Sequence, residues 1–227
     1  MISITATERW KRAYPGAMIG LLEVSGVDNT TKAAELDAEK RRVEAEVRER
    51  YAIYKRNDFR ALPVITAYHE YYKRFKKTYH VLQQVESVAL KGRNLPDVSP
   101  LVDANFAAEM KTLLLTAGHD LDKLSGEIVM DIASADEEIT QMNGKTKTLY
   151  PNDMVMRVDG KVVCSIIYGQ DNHSFITPKT RHVLYVTYVP TGIPQKDVEH
   201  HLNMLEKHVQ LFAKNAKIKG RKILKAE

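Results

Sequence analysis

The residues best suited to chemistry lie in "GQDNHSFITPKT", Gly169 to Thr180, between two apolar runs. Asp171, Asn172, His173 and Thr177 bring a carboxylate, an amide, an imidazole and a hydroxyl into one short segment. These groups can bind by hydrogen bonds and can move protons. A plain hairpin needs only about two to five turn residues, so this segment is a candidate site as well as a connection. A second candidate is "TAGHDLDKLSGEIV". The pattern predicts a helix ending at Gly118, a loop carrying His119, Asp120 and Asp122, and a strand from near Glu127. Loop residues held between rigid elements are where binding groups gather, although a helix cap and an Asx turn would use the same residues.

Other chemistries find little support. His201 and His208 could share a helix face, but neither has a further ligand at i+3 or i+4, so they read as surface histidines. "HEYYK" at His69 carries Lys73 where a zinc-protease helix needs its second histidine. The single cysteine, Cys164, rules out an internal disulfide or a cysteine zinc cluster. Within "KVVCSIIY" it is expected to be a small core residue. There is no nucleophile elbow, phosphate-cradling glycine loop or dinucleotide fingerprint. Neither a metal nor a cofactor is expected.

The net charge of +5 is concentrated. The segment "KNAKIKGRKILKAE" has six Lys and Arg against one Glu, a sum of +5, which leaves 28 basic and 28 acidic residues in 1–213. A second basic knot, "YYKRFKKTYH", mixes cations with aromatic residues. Lys73, Arg74, Lys76 and Lys77 in the knot, with Lys219, Arg221 and Lys222, are therefore the candidate nucleic-acid contacts. A solvated helix face and a frayed end would give the same composition.

These groups must be positioned by regular elements. "AMIGLLEVSGVDN" reads as a strand, and a charged helix is predicted over Thr31 to Arg56 with a stripe of Val43, Val47, Tyr51 and Tyr54. Pro63 and Pro100 each suit a first helical turn, and Gly92 a helix stop. Val64, Tyr68, Tyr71 and Phe75 make the next apolar stripe. From "EIVMDIA" the period falls to two, giving about five strands with turns at Asn143-Gly144 and Asp159-Gly160. A last helix carries Val198, Leu202, Leu205, Val209 and Phe212. The expectation is an α+β fold, with mostly antiparallel or mixed sheets packed with helices. One domain over residues 1–213 with a basic tail over 214–227 is the simplest division. Nothing resembles a signal peptide or a membrane span, so a cytoplasmic location is expected.

The run "NLPDVSPLVDANFAAEMKTLLLTAGHDLDKLSGEIVMDIA" resembles the tRNA-binding and editing module of the phenylalanyl-tRNA synthetase beta subunit, its paired B-three/B-four domain. "LVD" at Leu101–Asp103, "DLDKLSG" at Asp120–Gly126 and the strand after it match that family's elements in order and spacing. "NGKTKTLYPNDMVMRVDGKVVCSIIYG" and "DNHSFITPKTRHVLYV" continue the match, which is best over residues 88–189. The resemblance implies a layered fold, and a module that in the synthetase hydrolyses mischarged tyrosyl-tRNA, a second sieve for a hydroxyl the synthetic site rejects poorly. Family histidine, asparagine and glutamate positions fall on Ala117, Phe106 and Asn172, whereas His173 and Ser174 agree. It thus implies a retained pocket with altered chemistry, with Asn105, His119, Asp171, Asn172, His173 and Thr177 as candidate groups. These 227 residues hold no synthetase core. The leading expectation is an RNA-binding module for tRNA or aminoacyl-tRNA. A trans-acting aminoacyl-tRNA editing hydrolase, or a binder of a free amino acid or metabolite, are the alternatives.

Overall fold

Prolines and glycines set several element ends. A computed structural model describes residues 3–30 and 33–227. The chain begins with β1 (Ile4–Ala6), α1 (Glu8–Ala13) and β2 (Met18–Ser25). Five helices follow: α2 (Ala34–Arg50), α3 (Arg56–Arg60), α4 (Pro63–Lys73), α5 (His80–Lys91) and α6 (Pro100–Thr112). Then come β3 (Thr116–Asp120), β4 (Ile128–Ile132), β5 (Glu138–Thr140), β6 (Thr146–Thr148), β7 (Met154–Val158), β8 (Lys161–Ser165), β9 (Gly169–Gln170) and β10 (His182–Val189). Helix α7 (Gln195–Phe212) and strand β11 (Lys217–Lys225) complete the chain. Pro63 and Pro100 open α4 and α6, where a missing N–H costs nothing, and Gly92 closes α5 in the left-handed region.

The strands form a five-stranded sheet, β1-β4-β7-β8-β9, a four-stranded sheet, β11-β2-β10-β3, and the small β5-β6 hairpin. Among the described residues only β1 pairs in parallel, with β4; the other named ladders are antiparallel. The α+β class with mixed sheets is as expected. Strand β2 is buried along nearly its whole length because β10 and β11 flank it and α7 covers it. Gly20 lets α7 approach: a Cβ there would press on Val198 and Leu202.

Several expected boundaries shift. The long helix predicted to Arg56 ends at Arg50, and Arg56 opens the separate α3; Thr31 lies outside the described residues. Helix α6 stops at Thr112, with Leu113 in the left-handed region, well before Gly118. Gly118, His119 and Asp120 are therefore strand residues in β3, and Asp122 sits in a 3-10 turn, Leu121–Lys123. The basic segment 214–227 is not a free tail. Its residues Lys217–Lys225 pair with β2 as a sheet edge, with a bulge between Ile218 and Gly220. Ile218, Ile223 and Leu224 pack on the core, and that apolar contact turns a charged segment into a strand. His201 and His208 are buried, correcting the surface reading. His201 lies between Thr112 Oγ1 and Thr116 Oγ1, at 2.7 Å from each.

The predicted stripe on α4 is largely tyrosine, and its hydroxyls work. Tyr68 donates to the Tyr188 carbonyl and accepts the Leu115 N–H, beside β10 and β3. Tyr71 donates to Asp153 and accepts the Met154 N–H at the start of β7. Tyr72 donates to the Ile166 carbonyl, just past β8, at 2.9 Å. Helix α4 therefore grips both large sheets. Against α6, the buried Lys40 ammonium of α2 lies 2.6 Å from Asp97 and 2.9 Å from Asp103.

Losing a hydroxyl here should be costly. Tyr68→Phe leaves two buried backbone groups without it and should lower stability by about 1–3 kcal/mol for each group orphaned. Tyr51→Phe should change stability little, because the buried Tyr51 hydroxyl has no partner among the described residues. Urea denaturation of the two variants makes the comparison.

Candidate functional site

Where the two large sheets approach, their edge strands leave a cavity of about 600 Å³. Strand β3 supplies Thr116, Ala117 and Gly118; the β8–β9 segment supplies Ser165, Ile166, Tyr168 and Gln170. Helix α6 closes one side with Asn105, Phe106 and Glu109, and Phe175 and Ile176 another. The Gln170 side-chain amide donates to the Gly118 carbonyl, linking the facing edges. Gly118 is needed for close approach, since a Cβ there would collide with Ile176 and crowd Tyr185.

Asn105 and Glu109 are four apart, so they share a face of α6. They clasp one residue: Thr116 N–H donates to Glu109 Oε1 at 2.7 Å, and Asn105 Nδ2 donates to the Thr116 carbonyl at 2.9 Å. Two helix side chains thus satisfy the backbone groups at the start of β3. Burial pushes the Glu109 carboxyl up to about 8, against the smaller opposing pull of the Thr116 amide and the Asn105 side chain. Near neutral pH it is mostly protonated and can donate. Asn105 Oδ1 is buried and lacks a partner among the described residues. Asn105 lines the cavity, but this oxygen is itself closed off from it. Cys164 also lines the cavity, but burial pushes its thiol up to about 12, so it is a packing group rather than a nucleophile.

The expected pocket groups separate in space. Of them, Asn105 lines this cavity. His119 is buried in β3, with Nδ1 2.8 Å from Ser174 Oγ. Ser174 in turn donates to Asp171 Oδ1 at 2.6 Å, and its N–H bonds the same oxygen. Burial lowers the His119 imidazole to about 4, so it is neutral. With the serine proton committed to Asp171, this chain ties β3 to the 171–174 turn and offers no free nucleophile. Asp171, Asn172 and His173 line a separate groove of about 700 Å³ with Glu137, Arg157 and Lys161. Thr177 lies in a turn: its N–H donates to Thr180 Oγ1, and its carbonyl accepts from Asn29 at 2.8 Å. From the polar segment, the residues that reach the cavity are Gly169, Gln170, Phe175 and Ile176. Glu109 and Gln170 were missed as site groups. The four-residue spacing of Asn105 and Glu109 on one helix was the available signal for Glu109.

The basic candidates form two groups. Lys77 Nζ stands 5.9 Å from the ring centre of Tyr168, which lines the cavity, so the Lys77 end of the knot borders it. Lys219, Arg221 and Lys222 are on β11, at the far edge of the four-stranded sheet from β3. Three strand spacings separate those edges, about 14 Å. Arg221 is paired with Glu206 and Asn203 of α7. For a metal, ligand atoms of Asp37, Asp97 and Asp103 converge within 4.8 Å. The Lys40 ammonium already supplies a cation to two of these carboxylates. Among the described residues no helix is long and apolar enough to cross a membrane.

Residues 67–217, which contain all the described residues of the cavity wall, match the B3/4 domain family. The chain belongs to that family. A similar solved structure is an N-terminal fragment of the phenylalanyl-tRNA synthetase beta subunit from Pyrococcus horikoshii, at 12% identity and a TM-score of 0.47. That alignment covers 97% of this chain and 50% of the fragment, so this B3/4 protein spans half its length. No curated protein matches the chain.

The B3/4 cavity should have a pH signature. Glu109 binds its proton more tightly when folded, about 8 against an ordinary 4.5. Between those values the folded state holds more protons than the unfolded one, so stability falls as pH rises. Buried Asp153, raised to about 6, acts in the same sense at lower pH. His119 and His201, lowered to about 4 and about 3, act oppositely, below their ordinary 6.5. From pH 6.5 to 8.5 thermal stability should therefore decline, by at most about 1.4 kcal/mol per pH unit for one proton. Glu109→Gln should flatten that decline in a melting-temperature series.

Proposed function

We propose that this B3/4 protein binds the aminoacyl end of tRNA, with the amino-acid side chain entering the cavity between α6, β3 and β9. The cavity carries the reading. It is enclosed by apolar groups such as Val102, Phe106 and Ile176, and a few polar groups converge on it, which is how small-molecule sites are built. The Asn105 amide and the protonated Glu109 carboxyl are the polar groups that α6 brings to the cavity wall. A carboxyl with a pKa near 8 also exchanges protons at neutral pH, as ester hydrolysis requires, so deacylation is the reaction to assay. Positive charge at the border, on Lys77, favours a ligand carrying phosphates.

Binding of a free amino acid is the second reading. The even balance of 28 basic and 28 acidic residues in 1–213 favours it.

A panel of aminoacyl-tRNAs, scored for binding and for loss of the ester, tests the proposal. One aminoacyl-tRNA, or a few of similar side chain, should bind about tenfold or more tighter than uncharged tRNA. Ala117→Phe, which fills the cavity, should abolish that preference. Equal binding of charged and uncharged tRNA would remove the reading. A free amino acid that raises the melting temperature as much as its aminoacyl-tRNA would establish the second.

A further inference from the structure

The knot at 73–77 is a built surface. After α4 the chain turns back, with Lys76 in the left-handed region and the Lys77 N–H donating to the Tyr72 carbonyl at 3.1 Å. This turn delivers Lys77 Nζ to 5.6 Å from the centre of the Tyr150 ring and 5.9 Å from that of Tyr168. Those two rings are stacked, with centroids 5.6 Å apart and planes 4° from parallel. Tyr168 lines the cavity, whereas Tyr150 lines a neighbouring cleft of about 440 Å³ with Tyr14, Arg74 and Asn152. Arg74 in turn lies 5.2 Å over the Tyr14 ring. The tyrosine pair is thus a shared wall between cavity and cleft. No acidic side chain is among the described residues lining the cleft.

We infer that this cleft and the Tyr150–Tyr168 pair form a binding track for single-stranded RNA, running up to the cavity. The inference rests on the reading of the cavity as an aminoacyl site, to which the track would lead the last nucleotides. Alternating aromatic rings and cations are the pattern that holds single strands: bases stack on rings, and Lys and Arg follow the phosphates. A duplex keeps its bases paired and stacked inside, so it cannot use the rings. The cations of β11 belong to another edge of the fold and are not part of this track.

The test uses the full chain and an uncharged, labelled single-stranded RNA of about ten nucleotides, compared with the same sequence as a duplex by fluorescence anisotropy. Uncharged RNA reports the track and not the aminoacyl site, so the two proposals can fail separately. The single strand should bind at least fivefold tighter than the duplex. Lys77→Gln and Tyr150→Leu, at exposed and half-buried positions, should each weaken it about tenfold, with an unchanged circular dichroism spectrum. Lys222→Ala should change it less than twofold. Equal affinity for strand and duplex, undiminished binding by both track variants, or a loss confined to Lys222→Ala would each overturn the inference. If Tyr150→Leu unfolds the chain, Arg74→Ala, on an exposed side chain, takes its place with the same expected loss.

Discussion

Three hydroxyls on a little more than one turn of α4 hold the site open. Tyr68, Tyr71 and Tyr72 occupy positions i, i+3 and i+4, so their rings leave the helix together. One binds backbone beside the four-stranded sheet and two bind groups at the five-stranded sheet. The residues gripped include Leu115, Ile166 and Tyr188, which also line the cavity. Apolar side chains could fill the same space, but they would leave these backbone groups without partners. Tyrosine both packs the core and fixes where the strand ends stand, and the gap between the sheets follows from that spacing.

The same economy governs the first residue of β3. An edge strand leaves backbone groups to be satisfied, and Asn105 and Glu109 do this for Thr116 from a helix. Using side chains instead of another strand leaves polar atoms buried beside the cavity. One of them, Asn105 Oδ1, stays unpaired among the described residues, which costs free energy in a buried position. The Glu109 carboxyl avoids a comparable cost by keeping its proton near neutral pH.

Much of the fold could be read from local pattern. Pro63, Pro100 and Gly92 act through backbone geometry alone, so their helix ends were legible. The β7–β8 hairpin with its Asp159-Gly160 turn and the stripe on α7 were also plain. The break at Leu113 was not, because a leucine in the left-handed region carries no sequence mark, and Gly118 further on looked like the stop. Its glycine serves close packing against Ile176 instead. Strand β11 was hidden by lysines, which are compatible with a free tail or with an edge strand. For the site, Asn105 was found and Glu109 was not. Its importance comes from long-range burial, which no local window contains. Conversely, Asp171 and His173 drew attention by proximity in sequence, yet they face the groove shared with Arg157.

Charge placement bears on the size of the ligand. Lys77 borders the cavity, whereas Lys219 and Lys222 lie at an edge about 14 Å beyond β3. A free amino acid held in the cavity could touch neither β11 nor the far side of the Tyr14 cleft. A polyanion several nucleotides long could pass the tyrosine pair and continue over the surface. The even charge of residues 1–213, which favours the smaller ligand, is an average over the whole surface and does not describe the mouth of the cavity. What matters at the mouth is the local arrangement, in which Lys77 and Arg74 stand over aromatic rings. A stacked pair of rings beneath a cation is of little use to an amino acid that ends at the cavity, and of direct use to the nucleotides that would precede it.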